Sequence, residues 1–480
     1  MTATVPRKVR TCLTAALFLA LVAAVWTALS QPAAAKAARD RLSLLALLEA
    51  AEYERLDDYL VSLRTEYEHG EQSEGELENA VAAFASADPG LQPKLEAWIE
   101  RRPQSFAAHL ARGEYYRHLG RIGLQNGPLY PQAAEIPESS SGFFALARQD
   151  LQAAIQRQSR LGIGYAALID IAMAENAGGE ADRWFRLGIE ADPGSVSLRR
   201  AYLLSLRPWQ RPDQDPAELM AQLDALVKDL HETPEVNPDL AALRGFHDYV
   251  TAELLRRQRR HSQASRYYRD ALAEGSDWVF LRGAGINAFQ SARQVAAIGF
   301  FTDALALRPQ DPRLLDSRAH ALWSLGNHET ALADWRLALS IDPGNAHILY
   351  GYAQSLRSLG RAETAAEAIA GAIPFAQNSP KILGLRGQML LADLGRPRDA
   401  VADLRTAVEL DPHAGESWRA YAEALYRSND CDGAAAAIVT YQRLCTNGTR
   451  CAEGDLIWAR EALRGTRDPD ICPVYGILGP

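Results

Sequence analysis

Several things are scarce in this sequence. There are only five cysteines in 480 residues, and no two of them are in a Cys-x-x-Cys arrangement. There is no Gly-x-Ser-x-Gly turn, no phosphate-binding loop and no His-Glu-x-x-His helix, so the common hydrolase, nucleotide-handling and metalloprotease signatures are absent. No nucleophile sits beside a base in a recognisable frame. The expectation is therefore no catalytic residue, no metal ligand set, no cofactor and no enzymatic activity. A surplus of positive charge is also missing. The formal net charge is −9, and binding to DNA or RNA needs clustered Lys and Arg to displace counterions, so nucleic acid is not the expected partner. β-branched residues are sparse beside Ala and Leu, which favours helices over strands.

The one long apolar run is at the start. Arg7, Lys8 and Arg10 precede an uncharged stretch over 11–29, followed by Ser30-Gln31-Pro32 and then Ala33-Ala34-Ala35. A basic start, an apolar core, a helix breaker and a small-residue site describe an export signal. The run is also long enough to span a bilayer core of ~30 Å at ~1.5 Å per residue. With Leu17, Phe18, Leu19 and Trp26 it exceeds an ordinary signal core. It is read as a signal anchor in preference to a cleaved signal peptide, with the rest of the chain outside the cytoplasm.

The cysteines agree with export. Apart from Cys12, they are Cys431, Cys445, Cys451 and Cys472, all near the end of the chain. An even, clustered set in an exported chain predicts disulfides, and with only His413 nearby zinc is the weaker reading. Cys431 and Cys445 bracket one helix. Fourteen helical residues separate them by ~21 Å, and a bridge needs Cα atoms within ~7 Å. The expected pairs are Cys445–Cys451, across a tight turn, and Cys431–Cys472, closed by a returning helix GDLIWAREALRG.

The strongest positive signal is an internal repeat. Ala331, Trp335, Ala338 and Pro343 set a frame that recurs at Ala297, Phe301, Ala304, Pro309 and at Ala400, Leu404, Ala407, Pro412. It recurs again from Ala264, Ala365 and Ala434, and upstream from Ala181. From Ala264 onward the steps between first alanines are 33, 34, 34, 35 and 34. Small residues let two helices approach, the bulky residue fills the gap to the next pair, and proline ends the second helix. First helices carry Trp418, Tyr421, Ala422, Leu425 or Leu349, Tyr352, Ala353, Leu356, Gly360. In these residues and this period the chain resembles the tetratricopeptide repeat (TPR) family over about 162–448. The resemblance implies an all-α fold, a right-handed superhelical solenoid of helix-turn-helix units, and a partner protein or peptide held in the concave face.

The stretch HLARGEYYRHLG (109–120) belongs to the same pattern. Gly113, Tyr116 and Gly120 fall at first-helix positions, and Ala147, Leu151 and Ala154 restore the second-helix frame. Between them lies an insert of about twenty-two residues, 123–144. Inserts this long in compact domains serve binding or have no fixed structure. A site built on His109, Glu114 and His118 is not expected, because histidines nine residues apart lie on opposite faces of a helix. The glycines of Gly283-Ala-Gly285-Ile-Asn-Ala288 imitate a dinucleotide fingerprint, but the repeat register puts them inside a first helix. Ahead of the repeats, 42–102 reads as about three helices, with Leu48, Leu56, Leu60 and Leu63 on one face. LLEAAEYERLDDYL with LEAWIERRPQSFAAHLARGEYYRHLG resembles an uncharacterised domain family found ahead of TPR arrays in proteobacterial proteins, which implies a cell-envelope setting.

The expected order is a basic tail (1–10), an anchor (11–30), an N-terminal helical domain (42–161), degenerate repeats (162–237) with a proline-rich break at 205–220, a regular array (238–448), and a capping helix with a disulfide-tied tail (449–480). Projecting the helix frame, the groove is expected to be lined by Arg282, Arg313, His320, Trp323, His347, Tyr350, Arg357, Lys381, Arg419 and Tyr426. Asp316, Glu416 and Glu423 are the fewer acids there. Arg and aromatics anchor interfaces. The expected role is an envelope-tethered scaffold for an acidic or carboxylate-ended peptide of a partner protein. Two other roles compete: a carbohydrate- or polymer-handling accessory whose Trp and Tyr stack on sugars, and, more remotely, a hydrolase in the front domain.

Overall fold

The computed structural model describes residues 43–126, 139–232, 237–342, 345–376, 379–446 and 453–465. The described residues are helical, with no strand among them. No helix among them is long and apolar enough to cross a membrane. The expected anchor at 11–30, Cys451, Cys472 and the middle of the insert lie outside them. The chain divides into two compact units, one of 1–121 with 141–325 and one of 122–140 with 326–480.

In the first unit a helical stretch over 43–49 precedes α1 (Tyr53–Glu68), α2 (Glu74–Val81), α3 (Leu91–Arg101) and α4 (Phe106–Asn126). Then come α5 (Ser140–Arg157), α6 (Gly162–Ala174), α7 (Gly178–Ala191), α8 (Val196–Ser205) and α9 (Pro216–Glu232). The regular pairs begin with α10 (Phe246–Arg257), α11 (His261–Glu274), α12 (Trp278–Gln290), α13 (Gln294–Leu307) and α14 (Pro312–Ser324). The second unit holds α15 (His328–Ile341), α16 (Ala346–Ser358), α17 (Ala362–Ala376), α18 (Pro380–Gln388), α19 (Pro397–Leu410), α20 (Gly415–Arg427), α21 (Cys431–Thr446) and α22 (Glu453–Gly465).

The repeat frame is the core. Ala264, Ala297, Ala331, Ala365, Ala400 and Ala434 are all fully buried, as are the bulky residues four later. Each such bulky side chain removed from water contributes roughly 1.5–3 kcal/mol. The facing first helices carry small residues because nothing larger fits. A Cβ on Gly285 falls 2.5 Å from the Phe301 ring, and one on Gly351 falls 2.6 Å from Trp335. Gly285 is thus inside α12, packed against a neighbouring ring, as the repeat register requires. Helix starts are fixed locally. Asp311 accepts from the N–H groups of Arg313 (2.9 Å) and Leu314 (3.3 Å), and Pro312 occupies the first turn. Asn345 does the same for α16.

Three departures from the sequence reading have local causes. The first predicted helix is two pieces, because the chain turns at Ala51 with φ +57°; Leu48, Leu56, Leu60 and Leu63 are nonetheless all buried. The ends of the insert are helical, since α4 runs to Asn126 and α5 opens at Ser140. The proline-rich break is a 3₁₀ turn at Pro208–Gln210 followed by the additional helix α9. Buried Arg211 holds it, donating from Nε to the Ser205 carbonyl (3.0 Å) and from Nη2 to Asp182 (2.7 Å).

Candidate functional site

The polar cluster at 109–120 is a packing network. Leu151 of α5 lies against Gly113 of α4, where an added Cβ would approach it to 3.0 Å, so the two helices pair as the frame predicted. Asp150 of α5 is buried and accepts from Arg112 Nε (2.7 Å), with His109 Nδ1 at 2.9 Å. Arg117 holds Glu114 at 2.6 Å and also pairs with Asp170 of α6, as does Arg121. Against the cost of burial, the two guanidiniums hold Asp170 down at about 2. Asp150 and Asp170 are thus answered from α4 across a helix pair, and Glu114 is answered by Arg117 within α4.

The groove residues fall in both units. In the first, Arg282 projects from α12, largely buried, and its Nε is a buried donor with no acceptor among the described residues. Burial, and then the Arg313 charge beside it, push its pKa down. Arg313 is half exposed and lies 3.4 Å from Asp311. On α14, His320 Nε2 is 3.4 Å from Asp316, and Trp323 is half-buried. In the second unit His347, Lys381 and Arg419 are exposed, while Tyr350 and Tyr426 are half-buried. Tyr350 accepts a hydrogen bond from Gln354 at 2.9 Å. Arg357 pairs with Asp393 at 2.5 Å, and Arg419 lies over the Trp458 ring at 5.0 Å. The projection counted Asp316, Glu416 and Glu423 as the groove's acids. It missed Asp311 and Asp393, which answer two of its arginines.

A second polar constellation, unexpected from the sequence, lies at the N-terminal ends of the first helices in the first unit. α2 is short and acidic, and Glu74 and Glu78 share one face, four residues apart. Glu74 is 3% exposed. It accepts from the Ser195 hydroxyl at 2.7 Å and from the Ser197 N–H at 2.8 Å, capping α8 from outside. A carboxylate at a helix N-terminus satisfies orphan donors and faces the positive end of the helix dipole. Glu78 accepts from the Ser197 hydroxyl at 3.0 Å and pairs with Arg200 (3.2 Å) and Arg308. Arg200 also binds Asp277, the cap of α12, at 2.8 Å. Both guanidiniums lie over Trp278, at 6.0 and 5.4 Å from the ring centre. Asn79 donates to the Leu307 carbonyl at 3.3 Å. The only trace of this in the sequence is the Glu-x-x-x-Glu spacing of α2, since its partners lie far along the chain.

Comparison with known proteins follows the same lines. Two sequence models described as tetratricopeptide repeat match the chain, one over residues 249–312 and 389–447 and the other over 322–389. No curated protein matches it. Among solved structures, MamA 41-end from Desulfovibrio magneticus RS-1 is 16% identical with a TM-score of 0.33, covering 37% of this chain and 99% of that one. YrrB, titled a TPR protein with an unusual peptide-binding site, is 14% identical with a TM-score of 0.33, covering 40% and 97%. TTC0263, a thermophilic TPR protein in Thermus thermophilus, is 21% identical with a TM-score of 0.30, covering 38% and 97%. With its 34-residue frame, its paired helices and the two sequence-model matches, the stretch 249–447 is an array of tetratricopeptide repeats. Repeats of this family are protein-interaction scaffolds, stacked so that each unit contacts only its neighbours and extended concave surfaces result.

Proposed function

We propose that this protein is an exported, membrane-tethered scaffold whose repeats hold an acidic or carboxylate-ended peptide of a partner protein. The observation that carries this reading is Arg282. An arginine whose buried Nε has no acceptor among the described residues, and whose charge is opposed by burial and by Arg313, is completed by an incoming anion. In the second unit Arg419 lies over Trp458, and Lys381 is an exposed cation. Export is supported by the basic-then-apolar N-terminus and by the late cluster of cysteines.

The test is capture of partners from solubilised envelope by the full chain. Wild type is compared with Arg282→Gln/Arg313→Gln and with Arg357→Glu/Arg419→Glu. The reading expects a retained partner that is lost from a folded variant and competed away by an acidic peptide. Equal recovery by all three proteins refutes the groove.

The same reading pairs Cys445 with Cys451 and Cys431 with Cys472, tying the tail to α21. Its support is that Cys431 and Cys445 stand at opposite ends of that helix, too far apart to pair with each other. Peptide mapping without reduction tests it, and free thiols or another pairing would sink it.

A further inference from the structure

We propose that α2 is a releasable latch: an acidic helix of the chain's own seated on an acid-binding edge of the repeats, made by Ser195, Ser197, Arg200, Trp278 and Arg308, which on release accepts an acidic helix from a partner protein. The proposal uses none of the groove residues and stands or falls separately from the groove reading.

Three observations carry it. First, the edge has the chemistry of a binding site. Two arginines, 11% and 17% exposed, flank one indole and converge on one carboxylate of α2. A helix N-terminus with a free N–H and a serine hydroxyl receives the other. Charge-assisted hydrogen bonds of this kind are the strong and selective ones.

Second, α2 meets this edge through hydrogen bonds and ion pairs of Glu74, Glu78 and Asn79. Glu74, Glu78 and Asn79 face the repeats, while Leu77, Ala80 and Val81 are buried. A polar seat can be exchanged for water or for another acid in a way an apolar core cannot.

Third, the two carboxylates are held in opposite senses. Glu78, though burial works against its charge, is kept at about 2 by Arg308 and Arg200. Glu74 is pushed up to about 7, by burial first and then by Asp192 and Glu78, against the pull of the Ser197 N–H and the Ser195 hydroxyl. The charged and titratable groups around it are Tyr67 on α1, Glu78 on α2, Asp192 before α8 and Arg200 on α8, with Arg160 3.7 Å from Asp192.

A carboxylate whose bound value is raised favours the bound state at pH below its free value. It loses that advantage as pH rises through the bound value. The Glu74 seat is thus firm in mild acid and weakened above about pH 7. Glu78 acts oppositely, weakening the seat only towards pH 2. Between these limits the latch is closed by one carboxylate and metered by the other. Gly162 is part of the fit, because a Cβ there would meet the Ser195 hydroxyl at 2.0 Å.

The experiment is hydrogen exchange on the full chain at about pH 5.5 and about pH 8, corrected for intrinsic rates. It follows the segments 73–84, 195–205 and 305–311. In wild type, all three segments are expected to lose protection together at the higher pH, on the order of tenfold. Glu74→Gln keeps the seat and is expected to abolish that pH dependence. Glu78→Lys is expected to be unprotected at both pH values and to bind a labelled helical peptide of residues 72–85, which wild type in mild acid excludes. A wild type whose protection is indifferent to pH, a Glu74→Gln protein that behaves as wild type, or a folded Glu78→Lys protein that ignores the peptide each overturns the latch. Should Glu78→Lys fail to fold, the comparison of wild type with Glu74→Gln decides alone.

Discussion

The two units differ in what holds each of them together. The buried polar side chains of the first, ahead of its regular pairs, include Asp57, Arg64, Glu74, His109, Glu114, Asp150, Asp192 and Arg211. Those described in the second are few, namely Asp334, Asp342, Ser355, Asp403 and Ser417. The regular repeats need little more than shape. An alanine, a bulky residue and a small residue opposite set the distance and angle of each pair, and the next pair repeats them. Irregular helices have no such template. The helices of the front half differ in length and spacing, so directional contacts fix them: Asp57 with Trp98 and Ser105, Asp150 with Arg112 and His109, Arg211 with Asp182. The lesson is that repetition substitutes for hydrogen bonds, and irregularity has to be specified residue by residue.

This contrast can be broken at four places. Trp335→Ala empties the centre of a regular pair and is expected to cost about 4 kcal/mol. Loss of exchange protection should be confined to α15, α16 and their neighbours. Asp150→Ala strikes the irregular region. It strands Arg112 and His109 and is expected to cost about 3 kcal/mol, measured as lost protection in α4 and α5. If it costs nothing, the polar network is not what holds those helices. Glu74→Gln is expected to change little in mild acid. Towards pH 8 it should gain roughly 2–3 kcal/mol over wild type in the front helices, because the raised Glu74 destabilises its seat only once ionised. A variant that loses stability at both pH values would contradict that sign. The smallest effect is expected from Arg357→Gln. Its partner Asp393 is partly exposed, and such pairs contribute ~0–1 kcal/mol to stability. Any larger change should appear only in partner capture.

How much of this was legible follows from sequence distance. The repeat frame was readable because its parts recur every thirty-odd residues and each is local. Ala297, Phe301 and Ala304 declare themselves as one helix face, and all three are buried. The pairing of α4 with α5 was readable across the insert, because the same frame resumes at Ala147. The π-helical turn at Met389–Asp393 was not, since nothing in that stretch departs from an ordinary helical pattern. The ion partners were not legible either. Arg357 meets Asp393 beyond its own helix, so the projection showed the cation without the acid that answers it. Least legible was the seat of α2, because α2 reads from sequence as an ordinary acidic helix.

That seat also bears on the order in which the molecule comes into being. Glu74 meets Ser195 across 121 residues, and Asn79 meets Leu307 across 228. A ribosome adds roughly 5–20 residues per second, so α2 emerges roughly 10 to 50 s before the last of its seat exists. Each regular helix pair, by contrast, finds its mate within a few dozen residues and can close almost as soon as it is made. The α2 side of this seat is therefore made well before the seat can be completed. Until residue 308 is made, Glu78 has Arg200 of its eventual pair of arginines but not Arg308.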